Sequence, residues 1–367
     1  MGRTRALLAW LAGYCSAGPW RQASGCQVRR VARYRAAKHS PWKDDIFYLW
    51  MLPLNSSARK KVFIILCLAA MEGTSTGHGQ SAFLSDPAIS PDGAKIVFVY
   101  ESDLWMVDRT GGSAVRLTAM TGEESVPRFS PDGKWLAFAS TQHGNADVYL
   151  MPMGGGTLQQ MTWHDANDYP DGWSWDSKTV YFTSDRYNTF GAYAVSATGG
   201  TPVRLFSDNY FDQAHNIVEM PGSNGQSFYF TSSWESYMFP QRKRYRGEND
   251  PDIEFYSKTT GEYRRLTEWE GKDLWPSVDR NGKLWFASDE GNNEYNLCTF
   301  ENGAKRQLTS FPTSIRRPQV SVDGRFVVFA RDYRIWTYDV ATGQSSPCDI
   351  SVWSNENLAT EIGYNSS

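Results

Sequence analysis

At 367 residues the chain is long enough for several domains or for one large all-β domain. Its 41% hydrophobic and 21% charged content excludes a largely disordered chain, and a net charge of −3 gives no electrostatic ground for binding nucleic acid. Five cysteines without ligand spacing exclude a disulfide scaffold or zinc site, whereas 14% aromatics, 31 Gly and 17 Pro favour short strands joined by tight turns.

The charge is unevenly spread. Residues 1–50 hold nine Lys and Arg against Asp44 and Asp45, and 51–80 add Arg59, Lys60 and Lys61 against Glu72, leaving −12 on residues 81–367. Segment 51–80 reads as a secretory signal peptide: Arg59-Lys60-Lys61 is its basic head, Val62 through Met71 its apolar run, and Thr74 through Gly79 lead to cleavage near 77–80. Such a run spans ~15 Å as a helix, half the hydrocarbon core, so no stable membrane span is expected. No small residue precedes Cys67, which argues against a lipid-anchored cysteine. Met51 stands where a signal peptide would start, so 1–50 is read as an upstream or non-native leader. An Arg-rich transit peptide is the alternative. The expected location is the periplasm or the cell exterior.

From residue 81 one unit recurs six times. Its first copy runs Pro87-Ala88-Ile89-Ser90-Pro91-Asp92-Gly93, Lys95 through Phe98, Asp103-Leu104-Trp105, Gly111-Gly112 and Arg116-Leu117-Thr118. The second repeats that order from Pro127 to Thr162, and the third runs from Pro170 to Phe206 with Asp176-Ser177 at the turn. A fourth, diverged copy carries Gly225 and ends at Arg265-Leu266-Thr267. The fifth and sixth open at Pro276 and Pro318. Turn positions 93, 133, 177, 225, 282 and 324 are 40, 44, 48, 57 and 42 residues apart, the length of a four-stranded propeller blade. The expectation is an all-β six-bladed β-propeller of four-stranded antiparallel blades over 81–350, with 351–367 the start of a truncated continuation. Ring closure is left open. Ser81 through Leu84 could join the last blade as its outer strand, or Ser345 through Ile350 could complete it from its own end and leave closure to packing.

These elements resemble the propeller repeats shared by TolB and the tricorn protease family. Thr162 through Asp168, Leu266 through Asp273, and Arg242-Lys243-Arg244 leading to Asp252-Ile253 are similar to exported bacterial tricorn-like serine peptidases. That resemblance implies a non-catalytic N-terminal propeller that gates or guides peptides and shapes an assembly. The further propeller, PDZ and protease domains are missing partners here, and a homo-oligomer is compatible with it. Peptides or protein partners are implied, and the peptide-bond hydrolase activity belongs to the parent protein. A stand-alone TolB-like interaction module is the alternative, although TolB proteins carry a small α/β domain before the propeller.

The residues themselves offer no catalytic set. His143, His164 and His215 fall in three different blade regions, and Gly172-Trp173-Ser174-Trp175-Asp176 fails as a nucleophile elbow. Asp165, Asp168 and Asp171 do not have calcium-loop spacing, so neither metal nor cofactor is expected. The informative feature is the insertion that lengthens blade four, which carries Arg242, Lys243, Arg244 and Arg246 in an otherwise acidic domain. A solvated loop is its plain reading. With the resemblance, these cations become candidates for holding a peptide's terminal carboxylate. Cys298 and Cys348 could pair in an oxidising periplasm, but their places in different blades favour two separate buried thiols.

Overall fold

The computed structural model describes residues 83–186, 189–206 and 212–353. The segments read above as a leader (1–50) and a signal peptide (51–80), and all but the first three residues of the expected continuation (351–367), lie outside them. Strands β1 (Ser85–Ile89), β2 (Lys95–Tyr100), β3 (Asp103–Asp108) and β5 (Val115–Arg116) form the first antiparallel sheet. Five more four-stranded sheets follow, opening on β6 (Glu124–Phe129), β10 (Asp168–Trp173), β14 (Ala214–Glu219), β18 (Asp273–Val278) and β22 (Ile315–Val320). Each is built from consecutive strands, giving the expected six-bladed propeller.

The turn chemistry explains why Ser-Pro-Asp-Gly recurs. Ser90 Oγ donates to Asp92 Oδ1 at 2.6 Å, the Ala94 N–H donates to the same carboxylate at 3.0 Å, and Ser90 Oγ accepts from Lys95 N–H at 2.9 Å. Gly93 follows at φ +69°, where a side chain would be strained. The arrangement returns at Ser130/Asp132, Ser174/Asp176 and Ser321/Asp323. In the fifth blade Asp279 takes the role, accepting from Asn281 and Lys283 N–H at 2.8 and 3.0 Å.

The threonine that closes each Arg-Leu-Thr element is a latch. Thr118 Oγ1 accepts from Leu104 N–H at 2.8 Å and lies 3.2 Å from Asp103 Oδ1 and 3.0 Å from Glu124 Oε2. Thr162, Thr267 and Thr309 bind the third strand of their own blades the same way, through Asp147, Asp252 and Asn296. At Thr118 one hydroxyl proton faces two carboxyl groups, so both contacts are hydrogen bonds only when one carboxyl is itself protonated.

The apolar run after each turn is buried on both faces between neighbours, as in Ile96-Val97-Phe98 and Leu136 through Ala139. Apolar cores consequently lie between blades. Val97 and Leu104 meet Leu136 and Phe138, while Val328, Ala330 and Ile335 of blade six meet Ile96, Phe98 and Trp105 of blade one. A single blade could not bury either face alone.

Closure takes the second alternative and adds backbone pairing across the seam, the outer-strand place proposed for 81–84 being filled by β25 (Gln344–Pro347). That strand completes the last blade from its own end. The chain then crosses to blade one, where β26 (Ile350–Ser351) runs parallel to β4 (Gly112–Ser113). Gly112 N–H donates to Asp349 O and Ala114 N–H to Ser351 O, both at 2.8 Å. From the other end, Leu84 N–H donates to Tyr333 O of blade six at 2.9 Å. Packing alone was therefore an incomplete expectation; backbone pairing also crosses the seam. Gly111 permits it, because a Cβ there would lie 2.5 Å from Asp349 O at φ +95°.

Candidate functional site

The blade-four insertion opens with helix α1 (Trp234–Met238), capped by Ser233, whose hydroxyl accepts from Glu235 N–H at 3.1 Å. This helix is inverted: Glu235 and Ser236 are buried, while Trp234 and Met238 are exposed. Glu235 is tolerable there because cations surround it. Lys272 Nζ stands 2.7 Å from Glu235 Oε1 and donates to Phe239 O at 2.8 Å, and Arg242 grips the same carboxylate with Nε and Nη2. Burial lowers the Lys272 pKa, and the Glu235 contact opposes that shift.

The sequence candidates sit in this network with unequal freedom. Arg242 is committed to Glu235, and Lys243 Nζ donates to both oxygens of Glu294 at 2.8 and 2.7 Å. Arg246 bonds Asp289 Oδ2 at 3.1 Å and Asn293 Oδ1 at 3.0 Å, with its guanidinium 5.0 Å over the Trp269 ring. Arg244 differs: its side chain is 68% exposed and its ion-pair contact, with Glu294, is 3.8 Å long. Two of the four cations, Lys243 and Arg246, therefore fasten the insertion to blade five, Arg242 is spent inside the insertion on Glu235, and Arg244 remains available to a ligand.

A second polar region, the central channel, had no sequence signature. Each inner strand carries a register irregularity, and non-glycine residues there take positive φ: Asp86, Val126, Asn216, Trp275 and Arg317. They bring polar and aromatic groups from several blades to one cavity of about 120 Å³, lined by Arg128, Asp171, Asn216, Trp275, Arg317 and Gln319 among others. Burial pushes the Asp171 carboxyl up to about 6, although Thr183 Oγ1 donates to it at 2.6 Å.

The structure also joins residues that sequence spacing kept apart. His215 Nε2 lies 2.9 Å from Ser236 Oγ, while its Nδ1 lies 2.9 Å from the carbonyl of Gln213. The imidazole's orienting partner is a carbonyl rather than a carboxylate, both side chains are buried, and burial lowers the His215 pKa to about 4. The pair docks α1 on β14. The three aspartates around the start of the third repeat diverge: Asp165 is exposed, Asp168 is buried against Arg186 at 2.7 Å, and Asp171 enters the channel. Cys298 and Cys348 are separate buried thiols, raised by burial to about 12 and about 11. Among the described residues no helix is long and apolar enough to cross a membrane.

A six-bladed ring around a polar channel, with one blade extended by a cation-rich insertion, defines the chain as a β-propeller domain. It belongs to the family of the tricorn protease N-terminal β-propeller domain, which it matches over residues 81–344. It is 24% identical over 264 residues to tricorn protease homolog 1 of Streptomyces coelicolor, covering 69% of this chain and 23% of that protein. A second tricorn homolog of that organism is 37% identical over 106 residues, covering 28% and 9%. The chain thus spans less than a quarter of either relative. Among solved structures, the tricorn protease superposes with a TM-score of 0.64 at 19% identity, covering 75% of this chain and 27% of that one. TolB from Acinetobacter baumannii gives 0.52 at 18%, covering 75% and 67%. At these identities the two structures share the fold.

Proposed function

We propose that this ring is the non-catalytic N-terminal propeller of an exported tricorn-like serine peptidase, where it guides or gates peptides and helps to shape the assembly. The observation that carries this reading is the family match running through all six blades, together with the likeness to tricorn homolog 1 over 264 residues. The further propeller, PDZ and protease domains would supply the nucleophile and base. Arg244 is the insertion's candidate for a peptide carboxylate, with Arg242, Lys243 and Arg246 holding its loop in place. The signal-like segment 51–80 supports a periplasmic or secreted location.

The test measures fluorescence anisotropy of labelled peptides ending in a free carboxylate, their amidated twins, and the cleavage products. Preferred binding of the free carboxylate, weakened by Arg244→Ala without cleavage, is the expected result. Specific hydrolysis by this chain alone would refute the non-catalytic reading, and equal binding of both peptide forms would refute carboxylate capture. A stand-alone TolB-like protein-binding module is the second reading, favoured by the larger share of the TolB chain that the ring covers. Peptides that fail to bind while a folded envelope protein does would select it.

A further inference from the structure

The two arginines of the channel are unequally satisfied. Arg317 Nε lies 3.1 Å from Asp86 Oδ1, an ion pair. Arg128 has no carboxylate at ion-pair distance among the described residues. Its Nε donates to the carbonyl of Asp171 at 2.8 Å and its Nη1 to that of Pro127 at 2.9 Å. The Gln319 amide oxygen, turned toward the guanidinium, accepts from the same two nitrogens at 3.0 and 2.6 Å. Every one of these acceptors is neutral. The nearby Asp171 carboxylate is engaged by Thr183 and by the backbone N–H groups of Asn216 and Ile217.

A guanidinium keeps its charge under such conditions. Burial and the Arg317 charge lower the Arg128 pKa to about 10, with the Asp171 and Asp86 charges opposing the shift, which leaves it protonated at neutral pH. A cation whose direct hydrogen-bond acceptors are all neutral, with the Asp171 and Asp86 charges acting on it only from beyond ion-pair distance, keeps an attraction for a further anion, since water in a cavity of about 120 Å³ screens it poorly. The walls beside it, Phe129, Trp175 and Trp275, further limit hydration.

We infer that Arg128, with Arg317 lining the same cavity, forms a binding site for a compact oxyanion, a carboxylate or a phosphate, within the central channel. The polar floor is set by Gln319, and the backbone at Arg317, with φ 48°, is strained into the position that brings its side chain to the cavity. The site uses residues separate from the blade-four insertion and would exist in either reading of the ring's function.

The test is calorimetric titration and thermal unfolding of the chain with sodium acetate and with inorganic phosphate, at constant ionic strength made up with chloride. Saturable binding of at least one of them is expected, and which one binds identifies the ligand's chemistry. Arg128→Gln should weaken it tenfold or more, the scale of a lost charge-assisted hydrogen bond. Gln319→Glu places a carboxylate beside Arg128, so it should raise Tm without added anion and abolish the titration. This variant carries the test if Arg128→Gln does not fold. Absence of saturable binding by the unsubstituted chain, or equal binding by Gln319→Glu, overturns the site. Anion binding together with indifference to peptides would leave the site standing and remove the peptide function instead.

Discussion

Replacing Glu124 with glutamine should change how the ring's stability depends on pH. Glu124 is 1% exposed and faces Thr118, Ser140 and the Asp103 carboxylate, which Arg116 pairs. Burial pushes its carboxyl from 4.5 up to about 7; the Thr118 and Ser140 bonds oppose this, and the Asp103 charge adds to it. The unfolded chain releases this proton near pH 4.5, whereas the folded ring holds it to about pH 7. Folding therefore takes up a proton inside that window. The associated stability is complete below the window, is lost as pH rises through it, and stays lost above it. The shift corresponds to a loss on the order of 3 kcal/mol, or ~1.4 kcal/mol per pH unit. Glutamine cannot ionise, and its amide can face Asp103 as a donor while its oxygen accepts from Ser140. Urea unfolding followed by tryptophan fluorescence from pH 4.5 to 8 is the assay. Other raised carboxyls, Asp171 and Asp252 at about 6 and Glu254 at about 7, slope both proteins alike, so the difference isolates Glu124. Parallel stability curves for the two proteins would refute the assignment of a proton to this cluster.

Lys272→Met should destabilise the ring by ~3 kcal/mol, because Glu235 loses one of the cations that make its burial tolerable. The double variant with Glu235→Gln should cost less, and a double-mutant cycle by chemical denaturation measures the coupling. Gly111→Ala should cost ~1–3 kcal/mol, since a side chain cannot occupy that left-handed backbone against Asp349. Hydrogen exchange should show faster opening at the Gly112 and Ala114 amides than elsewhere in blade one. Cys298 and Cys348 should resist alkylation at pH 8 in the folded chain and react promptly in denaturant, because burial raises both thiols far above that pH.

How much was readable beforehand follows from the range of the physics involved. The turns were legible because Ser90-Pro91-Asp92-Gly93 satisfies its hydrogen bonds within five residues. The buried second strands were legible from unbroken apolar runs. Closure was not, since β26 meets β4 across more than two hundred residues and both are only two residues long. The insertion's cations were found from composition, but the carboxylates that hold them, Glu235 in the insertion's own helix and Glu294 and Asp289 in the next blade, decide which guanidinium is free. The channel escaped notice for another reason. Trp275 and Arg317 take a backbone region that glycine usually marks, so the bulges that bring them inward leave no local signature.

The seam between blades one and six also has a mechanical meaning. Chain continuing past Ser351 leaves from the rim of blade one, after its own last blade is complete. Tension on that continuation first reaches the Gly112–Asp349 and Ala114–Ser351 bonds, before any four-stranded sheet carries load. Losing that short parallel pair would free the tail alone, because the apolar core between blades one and six and the Leu84–Tyr333 bond hold the seam independently of it.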